Sequence, residues 1–335
     1  MVLVCVLHVA RYSGFRFISW DISFAGRLTS DVCIICAVVA VNLYAMLSGY
    51  LCINKSWHLK RFVSLWLLVV FYSLLLYIAG IMDSSFSFSC CGILKSLNPF
   101  SSDYWYFAAY AGLYVLQPYI NRGLNNLSRQ DFQTLLMICF ISFCVLGHWR
   151  SNLLVSYGFN FSWLIIMYAV GAYCKLYPIT IKSRIIIGIY IIILFVSFLI
   201  KQFNNESWYL RSYAFVNCAV SSICVLILLL RLKISSRTIT LFLAWLAPSS
   251  FSVYLIHMHP YMKHLMQVVF PDAAIATGYA WWFVPLVSVV LYGVCSVVDR
   301  VRIMLFNKLG VDKLAAIITD ALPERVKKLD SKIHS

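Results

Sequence analysis

Charged side chains are scarce in this sequence, and acidic ones are the scarcest. Only 12% of the 335 residues are charged, with 12 aspartates and glutamates against 27 lysines and arginines, whereas 62% are hydrophobic. With a mean hydropathy of +0.85, this composition excludes a water-soluble globular domain and indicates a polytopic membrane protein. The basic residues lie between apolar runs, where they set membrane topology, so we expect no nucleic-acid partner.

Several catalytic motifs are also missing. The sequence has no Gly-x-Ser-x-Gly elbow, no Walker-type phosphate loop and no His-Glu-x-x-His pair. A nucleophilic triad, an ATPase and a metalloprotease are therefore disfavoured. The apolar segments contain almost no acids, and Asp31 and Asp299 lie only at their ends. Since a proton-coupled transporter usually needs a membrane-embedded carboxylate, this class is disfavoured as well.

The apolar runs predict an all-α polytopic membrane protein with about ten transmembrane helices. A crossing needs about 20 residues. The first run, Met1 to Leu7, reaches His8 too early to span. It is either a half-helix held inside the protein or, as we expect, a truncated first helix whose true start lies upstream in a longer reading frame. The lysines and arginines then place both termini in the cytoplasm. The other runs cover residues 32–52, 62–82, 104–120, 132–148, 162–174, 185–200, 214–230, 239–258 and 280–298.

The chain is predicted to have one membrane domain followed by a short tail. We expect residues 1–299 to form the transmembrane domain, because no internal repeat and no flexible linker divides them. Residues 300–335 mix apolar and basic positions. This pattern predicts a cytoplasmic amphipathic helix on the anionic inner leaflet.

A basic corner after residue 52 is the first candidate site. Ser48 and Gly49 interrupt the apolar run just before it, which lets a ligand approach the backbone. Basic side chains at a membrane surface suit a phosphate-bearing ligand, although the same cluster is typical of a topology anchor. The corner supplies Lys55, His58, Lys60 and Arg61.

Histidines provide the candidate acid-base chemistry. His8 can exchange a proton near neutral pH and can activate a hydroxyl for acyl transfer from a thioester; alternatively, it is a packed side chain bonded to a backbone carbonyl. Ser250, Tyr254 and His257 share one face of a predicted helix. His257 and His259 have no acid or cysteine at ligand spacing nearby, so we predict no metal site.

The third candidate segment is rich in aromatic residues. They suit stacking on a sugar, or simple packing and an interfacial belt. We expect Pro118 and Asn121 to end this helix at the cytoplasmic surface. The rings recur every four residues behind Trp105 and comprise Tyr106, Tyr110 and Tyr114.

Together these segments resemble the membrane-bound acyltransferase 3 family, especially bacterial O-acetyltransferases that modify the O-antigen of lipopolysaccharide. The resemblance covers nearly the whole chain, and the order and spacing of four segments carry it. They are His8, Leu47-Ser48-Gly49-Tyr50-Leu51 followed by His58-Leu59-Lys60-Arg61, Tyr104-Trp105-Tyr106 through to Pro118, and Ser250-Phe251-Ser252-Val253-Tyr254-Leu255-Ile256-His257.

The resemblance implies an inner-membrane enzyme that moves acetyl from cytoplasmic acetyl-CoA to a sugar hydroxyl of the O-antigen or another surface polysaccharide. It implies no permanently bound cofactor. His8 and Arg61 are the implied catalytic residues. The implied CoA-binding residues are Ser48, Gly49, His58, Lys60 and Arg61, and the implied acceptor-binding residues are Trp105, Tyr110, Ser250, Tyr254 and His257.

The chain departs from the family pattern at two places. The family normally carries an arginine ten residues before its histidine, and this position falls before Met1. It also tends to carry two arginines three apart after Ser-Gly-Tyr, where this chain has His58 and Arg61. Two other functions stay open from the sequence: a transporter or flippase for a lipid-linked sugar or polyol, and a structural subunit of an envelope assembly.

Overall fold

The structure is a computed structural model that describes residues 1–12, 24–98, 100, 102–147, 156–203, 212–269 and 280–322. These residues form helices joined by turns and loops and contain no β-strand, which confirms the all-α prediction. The α-helices are α1 (Val2–Tyr12), α2 (Phe24–Ala37), α3 (Val39–Cys52), α4 (Leu59–Met82), α5 (Cys90–Leu97), α6 (Trp105–Asn125), α7 (Arg129–Phe140), α8 (Phe161–Leu176), α9 (Ser183–Phe203), α10 (Val216–Arg231), α11 (Arg237–Leu246), α12 (Ser250–Met258), α13 (Pro260–Val269), α14 (Ala280–Leu309) and α15 (Val311–Ala321).

Several helix starts are set by side-chain caps. Ser89 accepts a hydrogen bond from the first turn of α5, Ser128 from that of α7, and Asn160 from that of α8. Each cap satisfies a backbone N–H that has no partner within its own helix. Gly310 separates α14 from α15 with a φ of 65°, a left-handed conformation that costs glycine little. Local sequence chemistry therefore explains these boundaries.

Six segments of the described chain are long and apolar enough to cross a membrane. Their outward faces remain apolar, as Ile192 is 63% exposed and Leu286 53%. Such surfaces require lipid rather than water, so the protein is a membrane protein. The count of about ten crossings and the truncated first helix stay predictions. The six are Asp31–Cys52, Leu59–Met82, Arg129–Leu146, Ser183–Lys201, Arg237–Met258 and Trp282–Leu309, and Phe161–Leu176 and Val216–Arg231 are shorter apolar helices.

One predicted helix end is wrong. Helix α6 does not stop at Pro118 and Asn121 but continues to Asn125. A proline removes one backbone donor, and here polar side chains beyond it add bonds of their own: Asn121 and Asn125 donate to the carbonyls of Cys52 and Ile53, at 2.9 and 3.3 Å. These contacts hold the last turns of α6 in place.

The predicted boundary between membrane domain and tail falls inside a helix. Helix α14 runs without a break from Ala280 to Leu309, and α15 follows after Gly310. Helix α15 packs against α4 and buries Ala315 completely. The last part of the predicted tail, 323–335, lies outside the described residues.

The chain divides into two compact units that alternate along the sequence. Unit 1 comprises residues 1–26, 56–111 and 234–335, and unit 2 comprises residues 27–55 and 112–233. In unit 1, α1 packs against α14, and α12 packs against α4 and α14. Its buried interior includes Tyr72, Phe107 and Leu255. The buried histidines of this unit, His8 and His257, therefore lie in an apolar interior.

Unit 2 is organised around an unusually close helix pair. A Cβ atom on Gly49 of α3 would lie 1.9 Å from the carbonyl oxygen of Tyr168, and one on Gly171 of α8 would lie 1.8 Å from that of Met46. The two contacts are reciprocal, so the helix backbones touch where each has glycine. Small residues drive helix association in membranes in this way.

Candidate active site

His8 and His257 form a buried pair in unit 1. Nδ1 of His8 lies 2.7 Å from Nε2 of His257, and the ring centroids are 4.9 Å apart. His8 is 7% exposed and His257 is fully buried. The two histidines are 249 positions apart in sequence. The structure thus joins the predicted catalytic residue to one of the residues predicted to bind the acceptor.

The second nitrogen of His257 is also engaged. Its Nδ1 is hydrogen-bonded to the backbone carbonyl of Val253, one turn earlier in α12. Every residue from Ser252 to Met258 is buried, so the ring must find its partners inside the protein. Helix α12 supplies the first partner, and α1, which contacts α12, supplies the second.

A series of ring contacts leads from the histidine pair along α6. Tyr254 meets His257 at 6.3 Å between ring centroids, and Tyr106 meets Tyr254 edge-on at 6.1 Å. Tyr110 stacks on Tyr106 at 6.2 Å, and Trp105 contacts Tyr106 at 5.6 Å. The structure therefore connects three predicted acceptor-binding residues, Trp105, Tyr110 and Tyr254, to the pair.

Ser250, on the predicted polar face of α12, has a different partner. Its Oγ lies 3.2 Å from the hydroxyl of Tyr292, and Tyr292 donates to the carbonyl of Leu246 at 3.3 Å. Tyr292 has one hydroxyl proton, so Ser250 is the donor between them. Sequence reasoning missed Tyr292. The available signal was a polar stripe on α14 at helical spacing: Ser288, Tyr292, Ser296 and Asp299.

Three residues of the basic corner, His58, Lys60 and Arg61, lie at the N-terminus of α4 in unit 1. His58 is the N-cap residue and its side chain caps no backbone N–H; its Nε2 lies 2.9 Å from the hydroxyl of Ser56. Lys60 and Arg61 follow in the first turn, both exposed, and this turn contains no acid. Basic residues oppose the helix dipole at this end. Cations together with first-turn N–H groups provide a place for an anion.

Ser48 and Gly49 belong to unit 2 and have structural partners there. The hydroxyl of Ser48 donates to the carbonyl of Tyr44 at 2.9 Å. Gly49 faces the backbone of α8 at Tyr168. Packing alone accounts for a glycine at this position, and the contact of these two residues with CoA stays a prediction.

His259 points to a different neighbourhood from His257. Its Nδ1 accepts a hydrogen bond from the backbone N–H of Tyr261 at 3.2 Å, at the start of α13. Burial, together with the charge of nearby Lys263, lowers the pKa of His259 from 6.5 to about 4. The ring is therefore neutral at physiological pH, and the two histidines of the His-x-His pair do not converge.

The apolar helices and the acid-base pair buried among them define a polytopic membrane protein with a candidate site for proton transfer. The family model of acyltransferase 3, described as an acyltransferase domain, matches residues 1–299. The chain belongs to this family, and a general acyltransferase activity follows from it. No curated protein and no solved structure matches the chain.

Proposed function

We propose that this protein is an O-acetyltransferase that moves the acetyl group of acetyl-CoA to a sugar hydroxyl of the O-antigen or another surface polysaccharide. The observation that supports this most strongly is the His8–His257 contact of 2.7 Å in a member of the acyltransferase 3 family. Acyl transfer to a hydroxyl needs a base, and His8 is a buried imidazole supported by a second one.

The proposed reaction uses His8 as the catalytic base. His8 takes the proton of the acceptor hydroxyl while the hydroxyl oxygen forms a bond to the thioester carbonyl carbon. The carbon–sulfur bond then breaks, and the proton on His8 passes to the departing CoA sulfur. The products are an acetyl ester and CoA. A positioned general base contributes about 10²- to 10⁴-fold to such a step.

The start of α4 is the proposed site for the CoA phosphates. Lys60 and Arg61 are exposed there, and no acid in the first turn competes with a bound anion. Two cations at a helix N-terminus add their charge to the positive end of the helix dipole. This combination suits a ligand with several phosphate groups. His58, the N-cap residue, belongs to the same proposed site.

The rings next to the histidine pair are the proposed platform for the acceptor. Tyr254 is in ring contact with His257, and Trp105 and Tyr110 continue from it through Tyr106. Aromatic rings bind the apolar faces of sugars and keep a polar edge for their hydroxyls. These contacts support our proposal that a sugar-binding surface lies beside the proposed base.

The proposed setting is a bacterial inner membrane, with about ten crossings and both termini in the cytoplasm. Most of the 27 lysines and arginines fall on one side under this topology, as the positive-inside rule requires. The donor would then be cytoplasmic acetyl-CoA and the acceptor a periplasmic polysaccharide.

Asp31 and Asp299 are the buried carboxylates of the described residues that bear on a transporter alternative, and Asp299 has clear structural partners. It is fully buried, but it accepts a hydrogen bond from Tyr72 at 2.7 Å and pairs with Arg302 at 2.6 Å. A carboxylate held by an arginine and a phenol is a structural ion pair rather than a coupling acid. This observation favours the enzyme over a cation-coupled transporter.

The test is the acetyl content of the surface polysaccharide from a host that expresses the protein. Mass spectrometry and proton NMR of the polysaccharide are compared between wild type, His8→Ala and an empty vector. We expect acetyl esters with the wild type alone. Polysaccharide without acetyl, from cells in which the wild-type protein is present in the membrane, would contradict the proposal.

A further inference from the structure

We propose that His257 is a positioning residue that fixes the tautomer of His8, so that Nε2 of His8 is the atom that takes the acceptor's proton. The catalytic role of Nε2 in this inference rests on the proposed function. Its structural part concerns only where the protons lie in the pair, which can be measured independently of activity.

The carbonyl of Val253 determines which nitrogen of His257 carries a proton. A carbonyl oxygen only accepts hydrogen bonds, and it is bonded to Nδ1 of His257, so this nitrogen carries a proton. His257 is fully buried, and an apolar interior disfavours a charged ring. A neutral imidazole has one N–H. Nε2 of His257 is therefore an acceptor.

The tautomer of His8 follows from this acceptor. Nδ1 of His8 lies 2.7 Å from Nε2 of His257; two acceptors at this distance would repel, so Nδ1 of His8 must donate. Neutral His8 then has its basic lone pair on Nε2. When Nε2 takes a proton, the Nδ1–H bond to His257 becomes charge-assisted and stronger. His257 thus favours the protonated form that arises during the reaction.

A neutral histidine suits this role in a membrane helix. In soluble hydrolases a carboxylate orients the catalytic histidine. An ionised carboxylate in an apolar helix is costly, and α12 contains no acid. His257 supplies the same acceptor function without a permanent charge. The arrangement is consistent with the scarcity of acids in the apolar segments of this chain.

The kinetic experiment compares His257→Phe with His257→Gln in the purified full-length protein, with acetyl-CoA and O-antigen polysaccharide as substrates. Phenylalanine fills the space but accepts nothing, so we expect kcat to fall about 10- to 100-fold, the value of a hydrogen bond to a charged group, with both KM values unchanged. The glutamine oxygen can accept near the position of Nε2, so we expect kcat within about tenfold of wild type. The matched control is His264→Ala, an exposed histidine of α13, which should keep wild-type kcat.

The second readout is ¹⁵N NMR of protein labelled at histidine. The His8 signals are assigned by their loss in His8→Ala. We expect a protonated Nδ1 and an unprotonated Nε2 for His8 in the wild type, and loss of this preference in His257→Phe. A protonated Nε2 on His8 in the resting wild type would overturn the inference.

The outcomes separate this inference from the proposed function. Wild-type kcat in His257→Phe would remove His257 from the mechanism and leave the acetyltransferase intact. Absence of acetyl transfer by the wild type would overturn the proposed function, and the NMR spectra would still decide the tautomer. Loss of activity in His257→Gln equal to that in His257→Phe, with both proteins folded, would also contradict an acceptor role.

Discussion

The two units use buried polar groups differently. In unit 2, Asn42 accepts from the indole N–H of Trp163 at 2.9 Å and donates to the carbonyl of Tyr213 at 2.9 Å. The oxygen and the nitrogen of this amide therefore both form hydrogen bonds that link α3 to other segments of unit 2. In unit 1, His8 and His257 bond to each other. A side-chain amide neither gains nor loses a proton as an acid or base near neutral pH, whereas an imidazole does, so the first network is structural and the second is suited to chemistry.

The two units also differ in how their helices pack. Unit 2 brings the backbones of α3 and α8 together at Gly49 and Gly171, where a Cβ atom on either glycine would overlap the facing helix. In unit 1 the helices pack through aromatic rings around Tyr254. On our proposal unit 1 carries the reaction, whereas the close contact of α3 and α8 belongs to unit 2.

The largest expected effect is that of His8→Ala on acetyl transfer. We expect a loss of about 100-fold or more, because the general base is removed. The helix content and membrane level of the variant should match wild type. The measurement is acetyl ester per polysaccharide repeat at equal protein level, with His264→Ala as the control. Transfer by His8→Ala within a few-fold of wild type would move the reaction away from unit 1.

Gly171→Ala should damage unit 2 while leaving the chemistry in place. The added methyl would overlap the carbonyl of Met46, and overpacking of this kind costs about 1–3 kcal/mol or more. We expect a lower thermal unfolding midpoint in detergent. Gly188→Ala is the control, because a Cβ there meets no atom within 4 Å. Equal midpoints for the two variants would refute the close contact of α3 and α8.

Arg61→Ala should raise the KM for acetyl-CoA by about tenfold, the value of one hydrogen bond to a charged group, with little change in kcat. The resemblance implies a catalytic role for Arg61, but its exposed place at the start of α4 favours donor binding. The control is Arg237→Ala, which removes an exposed arginine from the start of α11. A fall in kcat without a change in KM would return Arg61 to the reacting atoms.

The smallest expected effect concerns His259 and pH. Its pKa is about 4 in the folded protein against 6.5 ordinarily. The unfolded chain therefore binds this proton first as pH falls, so the stability that His259 contributes is complete above pH 6.5 and declines towards pH 4. We expect the unfolding midpoint of His259→Gln to fall less than that of wild type between pH 7.5 and pH 5. An equal fall in both proteins would show that His259 is accessible to protons in the folded state.

The helices could be predicted from the sequence because the length of an apolar run is a local property. The run 62–82 corresponds to α4, and the run 239–258 to α11 and α12 with the turn Ala247–Ser249 between them. The end of α6 was predicted wrongly because Pro118 is only a local signal. The bonds from Asn121 and Asn125 to the end of α3 depend on tertiary packing, which the sequence pattern does not display.

The site was predictable residue by residue but not as an assembly. His8 and His257 were both selected because polar groups in apolar segments are costly and need a reason. Their pairing across 249 positions depends on how α1 and α12 pack. The bond of Ser250 to Tyr292 depends likewise on α14. Helical spacing shows which residues share a face of one helix, whereas it does not show what that face meets.

The most direct test of the central claim uses purified protein in lipid nanodiscs, acetyl-CoA labelled with deuterium in its acetyl group, and O-antigen polysaccharide. Mass spectrometry follows the label from the thioester into the polysaccharide. Our account predicts a deuterated acetyl ester with the wild type and about 100-fold less with His8→Ala. A label that stays on CoA with the wild type, or that reaches the polysaccharide equally well with His8→Ala, would contradict it.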